Sequence, residues 1–300
     1  MRLGAGVALA LILIQTLPLP AADKFTLDTA RAAAKGDPKA ECYLALDYAN
    51  GKDVPRDYDQ AVKYLRQAAD QGFPPAQNNL GAFYLQGLGV KQDDTEAVKW
   101  FRKAADQGDS FAEYSLGLCY FQGHGIIKDI PQAVEWYRKA AEKKQPDAIA
   151  ALADIYLTET EGVKIDYAEA FKWCQKGEAL GIADCLNGLG FLYEQGVGGA
   201  AKNPDMAVKY YREAAEKGFV RAYANLGQMY ETGDGLKADP VEAYKWFALG
   251  ARRGDAMAMH FQEDLIRVLS PDELAEANQR VNEYLAQPKT AQKPPQATAK

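Results

Sequence analysis

The sequence repeats itself at intervals of about 36 residues. The segment from Gly72 to Asp106 reads GFPPAQNNLGAFYLQGLGVKQDDTEAVKWFRKAAD, and further copies appear when it is moved along the chain. Self-similarity at this interval is typical of proteins in which each copy packs only against its neighbours. The sequence therefore predicts a linear array of repeats.

Each copy begins with an amphipathic helix that carries a leucine and a tyrosine four residues apart. Residues at this spacing share one face of a helix, so the two side chains are predicted to be buried together. The pairs are Leu44/Tyr48, Leu80/Tyr84, Leu116/Tyr120, Leu152/Tyr156, Leu189/Tyr193 and Leu226/Tyr230. A glycine follows the leucine at Gly81, Gly117, Gly190 and Gly227. Glycine inside a helix costs about 1 kcal/mol relative to alanine, so its recurrence predicts a closely packed neighbouring helix.

A glycine-rich turn follows the first helix. Its Gly-x-Gly pattern suits a tight turn with positive φ angles, as at Gly87 and Gly89. The fourth copy has Glu159-Thr160-Glu161 instead and is expected to differ in shape. Another turn glycine separates successive copies, and Lys144 takes its place once.

The second helix of each copy starts with Asp or Asn. In five of the six copies Glu or Gln follows three residues later, which is the pattern of a capping box. An alanine and then a tryptophan or tyrosine come next, as at Ala97 and Trp100. These aromatic residues recur at a fixed place in each copy and are predicted to be core.

These residues together resemble the Sel-1-like repeat, a longer relative of the tetratricopeptide repeat. The shared pattern is a small-residue turn, Ala, Leu-Gly-x-x-Tyr, Gly-x-Gly, Asp-x-x-x-Ala-x-x-Trp and Ala-Ala, over residues 36–254. The resemblance implies an all-α fold, a right-handed α-solenoid of tandem helix-turn-helix repeats of 36–37 residues. It also implies a scaffold, adaptor or regulator of a kind that bacteria often export.

The repeats set the predicted domain organisation. Residues 23–254 form the array, with an N-terminal capping helix at 27–35 followed by six repeats. Residues 255–286 are predicted to be C-terminal capping helices, because the repeat pattern stops there. Residues 287–300 lack large apolar side chains and are predicted to be disordered.

Residues 1–22 have the pattern of a secretory signal peptide. Arg2 precedes an apolar run from Leu3 to Leu17, and Ala21 and Ala22 supply small residues for cleavage. The run is shorter than the roughly 20 residues of a transmembrane helix, so no stable membrane insertion is expected after cleavage. We expect export to the periplasm, with secretion as the second choice. The alternative is an uncleaved N-terminus, as a membrane anchor or on a cytosolic adaptor.

Composition and motifs disfavour nucleic-acid binding and catalysis. The chain has 35 basic and 41 acidic residues, and this balance argues against nucleic acid as a partner. Its two histidines, His124 and His260, have no Cys or His at metal-ligand spacing, so no metal, cofactor or catalytic residue is predicted. The alternative is a secreted cell-wall or β-lactam hydrolase of the cysteine-rich repeat type, although Ser-x-x-Lys is missing from this sequence.

The four cysteines, Cys42, Cys119, Cys174 and Cys185, do not follow the paired register of that cysteine-rich branch. Cys185 takes a small-residue position and Cys174 an aromatic one, so both are interpreted as core residues. Ten residues separate them across one turn. A Cys174–Cys185 disulfide is therefore compatible with an oxidising location.

In tetratricopeptide-like arrays the first helices line the concave groove, and the resemblance assigns four groove-facing positions to each repeat. In the third repeat these are Phe111, Tyr114, Leu118 and Phe121, an apolar arc of about 80°. Asn78 and Asn187 are expected to add polar specificity at the rim, and Phe191 belongs to the same set. The competing interpretation is that some or all of these residues pack between repeats.

The function predicted from the sequence is that of a non-enzymatic scaffold or regulatory adaptor of the bacterial envelope. A protein partner would place an extended or helical segment in the groove. The protein itself is expected to be a monomer, and the sequence does not identify the partner.

Overall fold

A computed structural model describes residues 29–287 of the chain, apart from residues 31 and 53. These residues form fourteen helices with known bounds and no β-strand, which confirms the predicted all-α class. The helices are α1 (Pro38–Asn50), α2 (Tyr58–Asp70), α3 (Pro74–Gln86), α4 (Asp94–Ala105), α5 (Ser110–Gln122), α6 (Ile130–Glu142), α7 (Pro146–Leu157), α8 (Tyr167–Ala179), α9 (Ala183–Gln195), α10 (Pro204–Glu216), α11 (Val220–Thr232), α12 (Pro240–Ala251), α13 (Ala256–Val268) and α14 (Pro271–Ala286). The predicted signal peptide and the predicted disordered tail beyond residue 287 lie outside the described residues.

The helices are distributed over two compact units. The first contains the chain up to residue 152 together with residues 160–163, and the second contains residues 153–159 and the chain from residue 164. In the first unit α1, α3 and α5 each pair with the following helix, while α2 and α4 also contact the next first helix. In the second unit α9 pairs with α10 and α11 with α12, while α8 and α10 also contact the next first helix. These contacts confirm the predicted solenoid of tandem helix-turn-helix repeats.

The second helix of each repeat is preceded by a capping residue. A side-chain oxygen of the capping residue accepts a backbone N–H three residues later, at Asp57, Asp93, Asp129, Asp166, Asn203 and Asp239. The predicted capping boxes of the repeats are not completed. The backbone N–H of Asp93 donates to the carbonyl oxygen of Tyr84 at 3.0 Å, so it is not available to Glu96, whose carboxylate binds Lys99 at 2.8 Å. The same backbone bond to the preceding tyrosine occupies the capping N–H at Asp57, Asp129, Asp166 and Asp239. A complete box forms between Ser270 and Glu273 at the start of α14. The side-chain cap is therefore general, whereas the reciprocal bond is excluded in the repeats because the capping N–H already donates to a tyrosine carbonyl.

The glycine that follows the leucine of the first helix makes room for an aromatic ring of the second helix. A Cβ atom on Gly117 would lie 2.7 Å from Cδ1 of Tyr137, and one on Gly81 would lie 2.7 Å from Cδ1 of Phe101. The first repeat has Ala45 at this position and the smaller Leu65 facing it in the same core cluster. A larger residue after the leucine is therefore paired with a smaller residue on the second helix. This confirms the predicted close approach and identifies its partner as the second helix of the same repeat.

The second glycine of the Gly-x-Gly turn lies against the preceding repeat. A Cβ atom on Gly125, whose φ is +66°, would overlap the carbonyl oxygen of Asp94 at the start of α4. Gly89, Gly198 and Gly235 make the same approach to the preceding second helix. In the fourth repeat, where a different loop shape is expected, Gly162 has φ +77° and its Cβ would lie 3.4 Å from Pro131. Gly162 thus takes the place of the second turn glycine.

Lys144 is the one described non-glycine residue with a positive φ angle, at 64°. A side chain in this region costs about 1–2 kcal/mol, and glycine removes most of that cost. We expect Lys144→Gly to raise the free energy of unfolding by about 1 kcal/mol. Lys144→Ala keeps a Cβ atom and is the matched control, expected to stay close to wild type in chemical denaturation. Equal stability of the two variants would contradict this explanation.

The last helix packs back onto α12 and closes the second unit. Arg280 of α14 binds Asp239 at 2.9 Å and Glu242 at 3.1 Å, and the rings of Tyr284 and Trp246 meet edge to face with centroids 5.4 Å apart.

None of the described helices is both long and apolar enough to cross a bilayer.

Candidate functional site

The four apolar positions predicted on α5 divide into exposed and buried residues. Phe111 is 36% exposed, and Tyr114 and Phe121 are half-buried. Leu118 is only 3% exposed, so its predicted place on an open groove surface is corrected. Leu118 is a packing residue, as the competing interpretation expected for part of this set. The candidate surface therefore consists of Phe111, Tyr114 and Phe121, and we call it the α5 face.

Contacts beneath the α5 face fix the positions of its residues. The ring of Tyr114 packs on the buried ring of Tyr137 in α6, with centroids 5.5 Å apart. Ser115 donates a hydrogen bond to the carbonyl oxygen of Phe111 at 2.9 Å. The aromatic side chains are thus presented from a helix held by its own hairpin partner.

Asn78 and Asn187, which the sequence placed at a rim, are buried between neighbouring first helices. Asn78 is 5% exposed, and its Oδ1 accepts a hydrogen bond of 3.1 Å from Ser115. Asn187 is 7% exposed, and its Oδ1 accepts a hydrogen bond of 2.8 Å from Asn225. The rim placement is therefore corrected, because both amide oxygens already bond to the next repeat.

A third contact follows the same rule: Asn79 donates to the sulfur of Cys42 at 3.7 Å. In each case the residue two before the leucine meets the residue one before the leucine of the next repeat. We call these three contacts the inter-repeat polar pairs. They join successive first helices by buried hydrogen bonds, which are costly to leave unmade.

Phe191 belongs to α9 in the second unit, apart from the unit that contains the α5 face. Its ring is half-buried and lies 6.0 Å from the ring of Tyr167. Several of the other groove-facing positions of this unit carry charge, among them Asp154 and Arg221, and none of them is aromatic. Burial raises the pKa of the Asp154 carboxyl, while Arg221 opposes that change. The aromatic surface is therefore a property of the first unit.

Sequence reasoning missed a set of arginines that position the first helices. The hydroxyl of Tyr84 accepts a hydrogen bond of 2.6 Å from Arg66, and Tyr120 accepts one of 2.7 Å from Arg102. The same bond recurs in the second unit between Arg212 and Tyr230 at 2.7 Å. Each arginine lies 18 residues before its tyrosine on the preceding second helix, and this constant spacing was the available signal.

Over residues 29–287, as far as the structure describes them, the titratable groups show little that resembles a catalytic centre. His124 lies 3.4 Å from Asp94, and His260 lies 3.6 Å from Asp264, with both imidazoles on the surface. Burial raises the pKa of the Cys42 and Cys119 thiols to about 12, which disfavours the nucleophilic thiolate. Among the described residues, no group of three His, Cys, Asp or Glu side chains is arranged to hold a metal ion.

A family model of the Sel1 repeat matches the chain six times, at residues 38–73, 74–109, 110–144, 146–182, 183–219 and 220–255. A solved Sel1 repeat protein from Oxalobacter formigenes is 31% identical, and the match covers 73% of this chain and 86% of that chain with a TM-score of 0.64. The protein c5321, a protective antigen of uropathogenic Escherichia coli strains with an SLR fold, is 26% identical. That match covers 91% of this chain and 67% of the antigen, with a TM-score of 0.56. A search among curated proteins found no match.

Proposed function

The chain belongs to the Sel1 repeat family, and on this premise we propose that it is a scaffold of the bacterial envelope that binds a partner protein through the α5 face. Sel1 repeat proteins generally act as protein-interaction scaffolds. The proposal adds the surface, the location and a partner segment that is extended or helical. Aromatic residues are enriched among those that contribute most of the binding energy at protein interfaces, and here an ordered helix presents them.

The exposure of Phe111 is the observation that carries this proposal. Phe101 of α4 and Phe247 of α12 are fully buried, whereas Phe111 leaves about a third of its surface in water. Tyr114 and Phe121 extend the same side of α5 by one and three turns. A partner that covers this face would remove three aromatic surfaces from water at little cost in conformational entropy, because the helix is already ordered.

The envelope location rests on the N-terminal sequence pattern and on one relative. The hydrophobic run, its preceding arginine and the small residues at the cleavage position support export. The uropathogenic relative is described as a protective antigen, which agrees with a location outside the cytoplasm. The N-terminal sequence of the mature protein tests this part of the proposal, which predicts a start near Ala22 or Asp23.

The binding proposal is tested by photo-crosslinking in intact cells. A photoreactive aromatic residue at position 111 is expected to capture a defined protein, which mass spectrometry then identifies. Purified partner should then bind Phe111→Ser at least about tenfold more weakly than wild type, because the variant loses a central aromatic anchor. The melting temperature should change little, since Phe111 is partly exposed.

Ile127 provides the matched control for this experiment. It lies in the turn after α5 and is 88% exposed, so it is apolar and accessible but outside the α5 face. Crosslinking from position 127 should not give the same product, and Ile127→Ser should bind the partner normally. A collapse of the melting temperature in Phe111→Ser would contradict the proposal, as would wild-type affinity in that variant.

A further inference from the structure

Two cysteines occupy positions whose counterparts in the first unit pack in the same core cluster. Cys185 of α9 takes the small-residue position four before the leucine, which is alanine in the other five repeats. Cys174 of α8 takes the position held elsewhere by Leu65 or an aromatic residue. In the first unit Leu65 and Ala76 of the next repeat belong to one core cluster, as do Phe101 and Ala112. The fold therefore brings the corresponding positions 174 and 185 together.

The side chains at this junction lie in direct contact. A Cβ atom on Gly188 would lie 2.7 Å from the sulfur of Cys174, which places that sulfur on the backbone of α9. Gly188 and Cys185 are three residues apart and share one helix face. Both cysteines are fully buried, and the Cys185 thiol lies close enough to Cys174 to be the main cause of the raised pKa of the Cys174 thiol.

We propose that Cys174 and Cys185 form a disulfide that ties α8 to α9. The oxidant is a disulfide, either a small-molecule disulfide or one carried by a thiol-disulfide oxidoreductase. One cysteine thiolate attacks the oxidant and releases one reduced thiol, and the second cysteine then displaces the other half. The two cysteines lose two protons and two electrons, and the oxidant is reduced to two thiols.

The bond is expected to form while the chain folds and to persist once it is buried. The neighbouring Cys185 thiol and burial raise the pKa of Cys174 well above its usual value, so the folded protein presents little thiolate. Oxidation of folded, reduced protein should therefore be slow, whereas refolding in an oxidising buffer should form the disulfide. The same burial should protect the finished bond from reductants until the protein unfolds.

The test is refolding of reduced, denatured full-length protein in a glutathione redox buffer. We expect two of the four thiols to be consumed, with peptide mapping that links residues 174 and 185. Cys42 and Cys119 are the internal controls, because they lie buried on α1 and α5 in separate core clusters and should remain thiols. The oxidised protein should melt about 5–10 °C higher than the reduced protein.

Cys185→Ala provides the matched variant, since it restores the residue that the other repeats carry at this position. This variant should fold, and its melting temperature should no longer depend on oxidation. Four free thiols after refolding would overturn the proposal. So would glutathione left attached to position 174 in wild type, or a map that pairs Cys42 or Cys119.

Discussion

Gly125→Ala is expected to lower the free energy of unfolding by about 3 kcal/mol or more. The added methyl group meets the carbonyl of Asp94, and it would also lie 2.7 Å from the amide nitrogen of Thr95. These are backbone atoms at the start of a packed helix, so they cannot move aside as a flexible side chain could. The φ angle of +66° adds about 1–2 kcal/mol of strain for any residue other than glycine.

Gly72→Ala separates the two contributions. Gly72 also has a positive φ angle, +87°, but a Cβ atom there would meet nothing within 4 Å. The free energy of unfolding of this variant should fall only by the backbone strain of about 1–2 kcal/mol. Urea denaturation of both variants measures the difference. Equal losses at the two positions would mean that the approach of the turn to the preceding repeat contributes nothing to stability.

Gly117→Ala is expected to cost about 2 kcal/mol and to be partly rescued by Tyr137→Leu. The new methyl group would press on the Tyr137 ring, and overpacking of this kind outweighs the roughly 1 kcal/mol that alanine gains in a helix. Leucine in place of Tyr137 reproduces the combination that the first repeat already uses, Ala45 with Leu65.

A double-mutant cycle measures this rescue. Wild type, the two single variants and the double variant should give a favourable coupling energy of about 1–2 kcal/mol. Replacement of Tyr137 alone leaves a gap beside Gly117 and also removes the ring that supports Tyr114. Strictly additive losses would show that residue size at these two positions is not matched across the hairpin.

Most of the fold follows from the sequence because the signals are local and recur. The leucine-tyrosine spacing predicts the first helices, and the aspartates at positions such as Asp93 predict where the second helices begin. The glycine after the leucine predicts a close contact but does not identify the partner ring. The capping box at Glu96 was predicted wrongly, because the backbone N–H of Asp93 donates to the carbonyl oxygen of Tyr84, a contact set by how the two helices of the hairpin pack.

The candidate site was less predictable for a geometric reason. Periodicity identifies which residues share a helix face, but the position of the next helix decides whether that face is open or covered. Leu118 and Asn78 share the predicted groove-facing register with Phe111, yet only Phe111 remains substantially exposed. Asn78 is covered because Ser115, in the next repeat, reaches its amide oxygen. That contact depends on the angle between repeats, which no single repeat contains.

The inter-repeat polar pairs have a consequence for how such a chain can evolve by copying and rearrangement. If the third repeat were deleted, Asn78 would meet Ala151 in place of Ser115 and would leave a buried amide without its bond, at a cost of about 1–3 kcal/mol. If the third and fifth repeats were exchanged, Gly188 would face Asn78 and create the same defect. Copies that look alike by their leucines and tyrosines are therefore not interchangeable, and their order is itself inherited information.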